Sequence, residues 1–268
     1  MSTATERTPL DVAAQSMFAR VVAGVDGSDA GYEAARQAAR LVAADGWLEL
    51  FTAVYLVEAN LAAWSAPRIR AKLEREATEA VCFGAAIAGP HARSRLVSGH
   101  PLQSLMRELE KKQATLAVVG THGHRRLSEI MIGGVAGQLL HSAPCSVCIA
   151  RRPATEALFP RAIVAGCDGS PESQAAVAVG RHLADRFGAS LSIVTALGGK
   201  NVDHRRARAL GAITVEGHPV EALVEAGKDA DIVIVGSRGL HGIKALGSVS
   251  ERVAHQASCS VIVLRASD

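Results

Sequence analysis

The sequence predicts an α/β protein built from two homologous, doubly wound domains, each a five-stranded parallel sheet with helices on both faces. Three observations carry this reading. The chain repeats itself in order: "VVAGVDGS" at 21–28 returns as "IVAGCDGS" at 163–170, "LFTAV" at 50–54 as "IVTAL" at 193–197, and "VSGHP" at 97–101 as "VEGHP" at 215–219. "VVGTHG" at 118–123 then returns in "VIVGSRG" at 233–239, and "APCSVCIAR" at 143–151 as "ASCSVIVLR" at 257–265. Ordered self-similarity of this kind marks two copies of one domain. Each copy alternates short β-branched runs with helical stretches, and that alternation implies parallel strands joined by right-handed crossovers. Composition agrees: 49% of the 268 residues are hydrophobic and only 3% aromatic, so the core is aliphatic, as buried parallel strands require.

Residues 1–16 read as a disordered tail, 17–151 as the first domain, 152–160 as a linker and 161–268 as a shortened second domain. In the first copy a strand ending in "VDGS" leads into the helical stretch "DAGYEAARQAARLVAADG" at 29–46. After the second strand, "PRIRAKLEREATEAVCFGAAIA" at 67–88 has the apolar spacing of an amphipathic helix. The third strand is followed by the helix "PLQSLMRELEKKQ" at 101–113, and the fourth by "GTHG", a loop, the helix "VAGQLLHSA" and a last strand. The second copy has about two dozen fewer residues between its second and third strands. There "GGKNVDHRRARALGA" at 198–212 suffices for a helical turn or two. Open sheets of this class bind ligands at the carboxyl ends of the strands, where the strand order reverses. Both "DGS" and "GTHG" fall at such ends.

The glycines of the first copy suggest what is bound. Gly120 and Gly123 are followed, nine residues on, by Gly133 and Gly134, which open a helix. Glycine lets backbone approach a ligand closely, and a helix N-terminus offers unpaired N–H groups and partial positive charge. The combination is an anion cradle, with phosphate as its natural occupant. It is not a Walker loop, since no G-K-[ST] follows. Nearby His122, His124, Arg125 and Arg126, and Arg238, His241 and Lys244 in the second copy, are read equally well as phosphate contacts or as solvated loop residues. Asp26 and Asp168 follow apolar strands and precede Gly-Ser, which also fits an aspartate that caps the next loop or helix.

Other functions are disfavoured. A net charge of +3 gives no concentrated basic face for nucleic acid. No apolar run is long enough to span a bilayer and the N-terminus carries no secretory signal, so a cytoplasmic location is expected. Five cysteines, Cys82, Cys145, Cys148, Cys167 and Cys259, show no disulfide framework, and the C-x-x-C at 145–148 reads as part of a strand. No metal-ligand spacing, nucleophile elbow or Cys-His arrangement is visible, so at most slow ATP hydrolysis is expected and no metal or catalytic residue is assigned.

The "V-G-x-D-G-S" first strand, the "G-x-P" before the third helix, and G-2x-G-9x-G before a last "APC.V" strand together resemble the universal stress protein family. The resemblance covers 17–268 twice over, as in a tandem member. It implies an adenine-nucleotide alpha-hydrolase-like fold with strand order 3-2-1-4-5 and, in one branch, ATP binding. Carried over, adenine contacts are Asp26 and Ala53 in the first half, Asp168 and Ala196 in the second. The ribose and phosphate loop becomes Gly120, Gly123, Gly133, Gly134, Val135 and Ala136, then Gly236, Gly239, Gly247, Ser248, Val249 and Ser250. Gly134 departs from the family's Ser or Thr, and the second loop has seven residues where the family has nine. Ser248 with Glu251 can also be read simply as a capping box. The cofactor implied is ATP, with ADP or AMP as alternatives and Mg beside it. The implied role is a stress-response sensor or regulator; an interaction scaffold with empty sites, or a slow ATPase, are the alternatives. By the same resemblance the last strands pair the two halves as a pseudo-dimer, with a homodimer and an unidentified protein partner as further expectations.

Overall fold

The structure is a computed structural model, and it describes residues 14, 16–55, 66–123, 132–153, 159–199, 202–237 and 248–265. It separates into two compact units, one Arg20–Arg152 and the other Pro153–Asp268 together with Met1–Ala19.

In the first unit β1 (Arg20–Gly24), α1 (Asp29–Leu41), β2 (Trp47–Val54), α2 (Ala66–Ala88) and β3 (Ala92–Ser98) run toward one edge of the sheet. The chain then returns through α3 (Pro101–Lys111), β4 (Leu116–Gly120), α4 (Gly134–Ser142) and β5 (Ser146–Ala150). The order is β3-β2-β1-β4-β5 and every pairing is parallel. Right-handed crossovers that first run one way and then the other put α1 and α2 on one face and α3 and α4 on the opposite face. Accordingly α1 packs on α2, and α3 on α4. The central strands are covered on both sides: Val21, Val22, Ala23, Leu116, Ala117 and Val118 are all 0% exposed. Continuous aliphatic runs, rather than alternating ones, are the consequence.

Local chemistry sets where the helices begin. Ser28 caps α1, its Oγ accepting the Gly31 N–H at 3.1 Å, and Pro101 opens α3, where a missing N–H costs nothing. Glu49 is a buried charge on β2. Lys112 meets it at 2.7 Å from beyond the end of α3, with Glu108 at 3.7 Å, which offsets part of the desolvation.

The second unit repeats the plan with β6 (Ala162–Gly166), α5 (Pro171–Phe187), β7 (Ser190–Ala196), α6 (His204–Ala209), β8 (Ile213–Val215), α7 (Pro219–Ala226), β9 (Ile232–Gly236), α8 (Ser248–Gln256) and β10 (Ser260–Leu264). Its order, β8-β7-β6-β9-β10, is again 3-2-1-4-5 when counted from its own first strand, and all parallel. The six-residue α6 is the remnant expected from the shortened copy. One buried face keeps it in place, with Ala207 at 0% exposure packed with Cys167, Val177 and Ile193. Buried Asp231 accepts the Arg161 N–H at 2.6 Å and so pins the start of β6; in the first unit Thr115 Oγ1 does this for Arg20, at 3.0 Å. Phe18, also fully buried, stacks on His182 with ring centroids 6.3 Å apart.

Among the described residues no helix is long and apolar enough to cross a membrane, and no cluster of His, Cys, Asp or Glu could hold a metal. All five cysteines are free; Cys82 is exposed and the other four are buried. Cys148 lies in β5, where burial pushes its thiol up from 9.0 to about 12. Above pH 9 the unfolded chain therefore sheds this proton while the folded chain keeps it, and stability falls as pH rises from 9 toward 12. In native protein at pH 8 a thiolate-selective reagent should modify Cys82 and leave Cys148 unmodified until urea is added. Peptide mass spectrometry reads both; equal modification of the two in native protein would contradict this burial.

Candidate functional site in the first unit

A crevice of ≈ 240 Å³ opens at the carboxyl ends of β1 and β4, the point where the strand order reverses. Its floor comes from Val25 and Asp26 after β1, Phe51 and Ala53 on β2, and Val119 and Gly120 on β4. Its walls are Gly31 of α1, Pro101 and Leu105 of α3, the turn Thr121–His122–Gly123, and Gly133 to Ala136 at the start of α4. All eight residues that the sequence assigns in the first half line this one crevice: Asp26, Ala53, Gly120, Gly123, Gly133, Gly134, Val135 and Ala136.

Asp26 both caps and lines. Its Oδ1 accepts the Ser28 N–H at 3.0 Å and the Ser28 hydroxyl at 2.5 Å, and the same hydroxyl caps α1. The carboxylate is wedged between two glycines. A Cβ at Gly31 would lie 2.6 Å from Oδ1, and one at Gly123 would collide with Oδ2. Gly120 is glycine for a different reason, since its Cβ would fall 2.5 Å from the Ala30 carbonyl oxygen in the first turn of α1. So Gly120, one of the glycines read as phosphate contacts, is required by packing whatever the crevice holds, while Gly123 is set by where the Asp26 carboxylate lies.

The start of α4 is built otherwise. Gly133 caps it without a side-chain hydrogen bond, and its own N–H is tied to the Thr121 carbonyl at 2.5 Å, which fastens the helix onto the turn after β4. The first-turn residues Gly134, Val135 and Ala136 have no carbonyl four residues back within the helix, which leaves their N–H groups suited to an anion. A Cβ at Gly134 would meet nothing within 4 Å, so the family's hydroxyl position is vacant space rather than space taken by another group. His122 lines the crevice, with Nδ1 2.8 Å from Thr121 Oγ1. His124, Arg125 and Arg126 lie outside the described residues.

In the second unit Asp168 repeats the turn, its Oδ1 taking the Ser170 N–H at 3.0 Å. Ala196 ends β7, and Gly236 ends β9 with its Cβ position 2.6 Å from the Glu172 carbonyl, as at Gly120. Val249 and buried Ser250 stand in the first turn of α8. Gly239, Gly247, Arg238, His241, Lys244 and the side chain of Ser248, hence the capping box, lie outside the described residues.

The Universal stress protein family matches residues 17–151 and 200–265, three quarters of the chain. The chain belongs to the universal stress protein family. A universal stress protein of Mycobacterium tuberculosis is 28% identical over 208 residues, 65% of this chain and 69% of that protein. One from Thermus aquaticus is 30% identical over 135 residues, 39% of this chain and 98% of that protein. Among solved structures, a universal stress protein of Archaeoglobus fulgidus superposes with a TM-score of 0.69 at 20% identity, covering 94% of this chain and 99% of that one. A Pseudomonas aeruginosa protein of unknown function gives 0.66 at 16% identity, covering 96% and 95%. These two share the fold over both units. The family match breaks over 152–199, although β6, α5 and β7 there hold the same places as β1, α1 and β2.

The sequence reading missed Gly31, and it named Pro101 only as part of the G-x-P motif, not as a site residue. A glycine inside the helix "DAGYEAARQAAR" costs about 1 kcal/mol relative to alanine, and that cost was the available signal. Gly31→Ala should displace Asp26 and lower unfolding stability by about 1–3 kcal/mol. Gly134→Ser, in open space, should stay within about 0.5 kcal/mol of wild type. Urea unfolding of the two variants side by side checks the contrast; equal losses would show that the wedge is not tight.

Proposed function

We propose that the first unit binds an adenine nucleotide, with ATP first and ADP or AMP as alternatives, and that the protein acts as a stress-response sensor or regulator through that binding. The observation that carries this reading is the convergence of the eight family-assigned residues on one crevice at the switch point. Chemistry supports it at both ends. The apolar floor of Val25, Phe51, Ala53 and Leu105 suits a flat base, and Asp26 brings a carboxylate to the same lining. At the other end the first turn of α4 offers N–H groups to phosphate oxygens, whose charge the helix dipole favours. Mg, if it accompanies ATP, is held by the phosphates, because among the described lining residues Asp26 is the one carboxylate.

Calorimetry with ATP tests the proposal. Wild type should bind, and Asp26→Ala should weaken binding at least about tenfold. Absence of heat with wild type ends the nucleotide reading and leaves the interaction-scaffold alternative. Phosphate release over hours separates a binder from a slow ATPase, and no turnover is expected.

The vacant position at Gly134 makes a second prediction. A serine there adds one hydroxyl within reach of phosphate, worth about 1.5–3 kcal/mol when the acceptor is charged, so Gly134→Ser should tighten ATP by about tenfold or more. Unchanged affinity would mean that the α4 backbone alone holds the phosphates.

A further inference from the structure

We infer that the second unit fills its own crevice: the chain leaving β7 crosses the strand ends where the first unit keeps a ligand-sized space, so one chain takes up one nucleotide. The count rests on the reading of the first unit as a nucleotide site; the closure itself does not.

Three corresponding positions are engaged by this short connection. Asp168, the counterpart of Asp26, receives the Asp203 N–H on its carbonyl at 2.8 Å. Its neighbour Gly169 has φ +83 and is so closely covered that a Cβ would lie 2.7 Å from the Asp203 carbonyl oxygen. Pro219, the counterpart of crevice-lining Pro101, has Cγ 3.3 Å from the Cβ position of Gly199. The carbonyl oxygen of Ala196, counterpart of Ala53, is 3.4 Å from that same position, and Val202 packs against it too. Gly198 donates its N–H to the Gly217 carbonyl at 3.0 Å. The described residues on either side of 200–201 thus reach from the start of α7, on one face, to the end of β6. They continue into α6, whose Ala207 is buried against Cys167 on the other face.

Burial gives an independent measure. Gly24, Gly27 and Ala53 are half-buried and Asp26 is exposed, whereas their counterparts Gly166, Gly169 and Ala196 are buried and Asp168 is half-buried. Each of the four positions is a step more enclosed in the second unit with no ligand present. Seven residues separate Ala196 from His204, where α6 begins, and the described ones among them, 197–199 and 202–203, hold the contacts given above.

Thiol accessibility tests the closure without nucleotide. In a Cys82→Ser background, Ala53→Cys should react with N-ethylmaleimide at least tenfold faster than Ala196→Cys in native protein. Hydrogen exchange on the wild-type chain needs no variant, and the Asp203 amide should be protected. Equal labelling rates, or rapid exchange at Asp203, overturn the closure. Equilibrium dialysis with ATP should give one nucleotide per chain, and two per chain also overturns it. A chain that binds no ATP yet keeps the labelling difference and the protected amide refutes the nucleotide reading and supports the closure.

Discussion

The close approach of the first helix to the end of the fourth strand is the constraint on which the crevice depends. In both units a glycine closes the fourth strand because the first turn of the opposing helix presses its backbone there, Ala30 against Gly120 and Glu172 against Gly236. That contact brings the D-G-S turn, which begins the helix, beside the loop that follows the fourth strand. Elsewhere in a doubly wound sheet neighbouring crossovers share a face, and their loops cover the strand ends; only where the order reverses do they diverge and leave a gap. The contact thus sets one wall of that gap and aims an aspartate into it. Any larger residue at 120 or 236 forces the helix outward, and the gap loses its shape before any ligand contact is considered.

Much of this was legible in the sequence, for physical reasons. Parallel strands buried on both faces read as short aliphatic runs, and a duplicated chain states each run twice, so a doubtful strand such as "IVTAL" is vouched for by "LFTAV". The helices were legible from their apolar spacing, whereas the residues that start them, Ser28, Pro101, Ser170 and Pro219, are given by the structure. Glycine was the ambiguous letter. The pattern around 120–134 looks uniform in one dimension, yet Gly120 answers to backbone packing, Gly123 to the Asp26 carboxylate, Gly133 to a turn hydrogen bond, and Gly134 to nothing in the fold. Sequence spacing cannot separate these cases, because each is decided by a neighbour far away along the chain. Gly31 escaped for a different reason. Its partner is a side chain five residues earlier, around a cap, outside the helical periodicity.

The two units carry the same turn at the same place and differ in what lies above it. Asp26 and Asp168 make the same hydrogen bonds to the serine two residues on, so the capping role of the aspartate survived in both copies. Capping is local and depends on four residues; an open crevice depends on the length of a connection elsewhere. On the proposed closure, the shortened segment after β7 leaves the turn intact and fills the space above it. A residue kept in both copies is evidence for the turn alone, and the D-G-S motif cannot by itself say whether a copy binds anything.

What distinguishes a binding copy is then a pair of conditions set by separate stretches of chain. The strand ends must be uncovered, which the first unit meets at Asp26 and Ala53. A helix must also begin opposite them with room at its first residue, which it meets at Gly134. The hydroxyl that the family places at this last position adds affinity without adding shape, since the helix start and its tie to Thr121 are complete with glycine there. On the proposed reading, the site lacks one hydrogen bond to phosphate at Gly134 and keeps the geometry of the helix start, so affinity and shape are set by separate features.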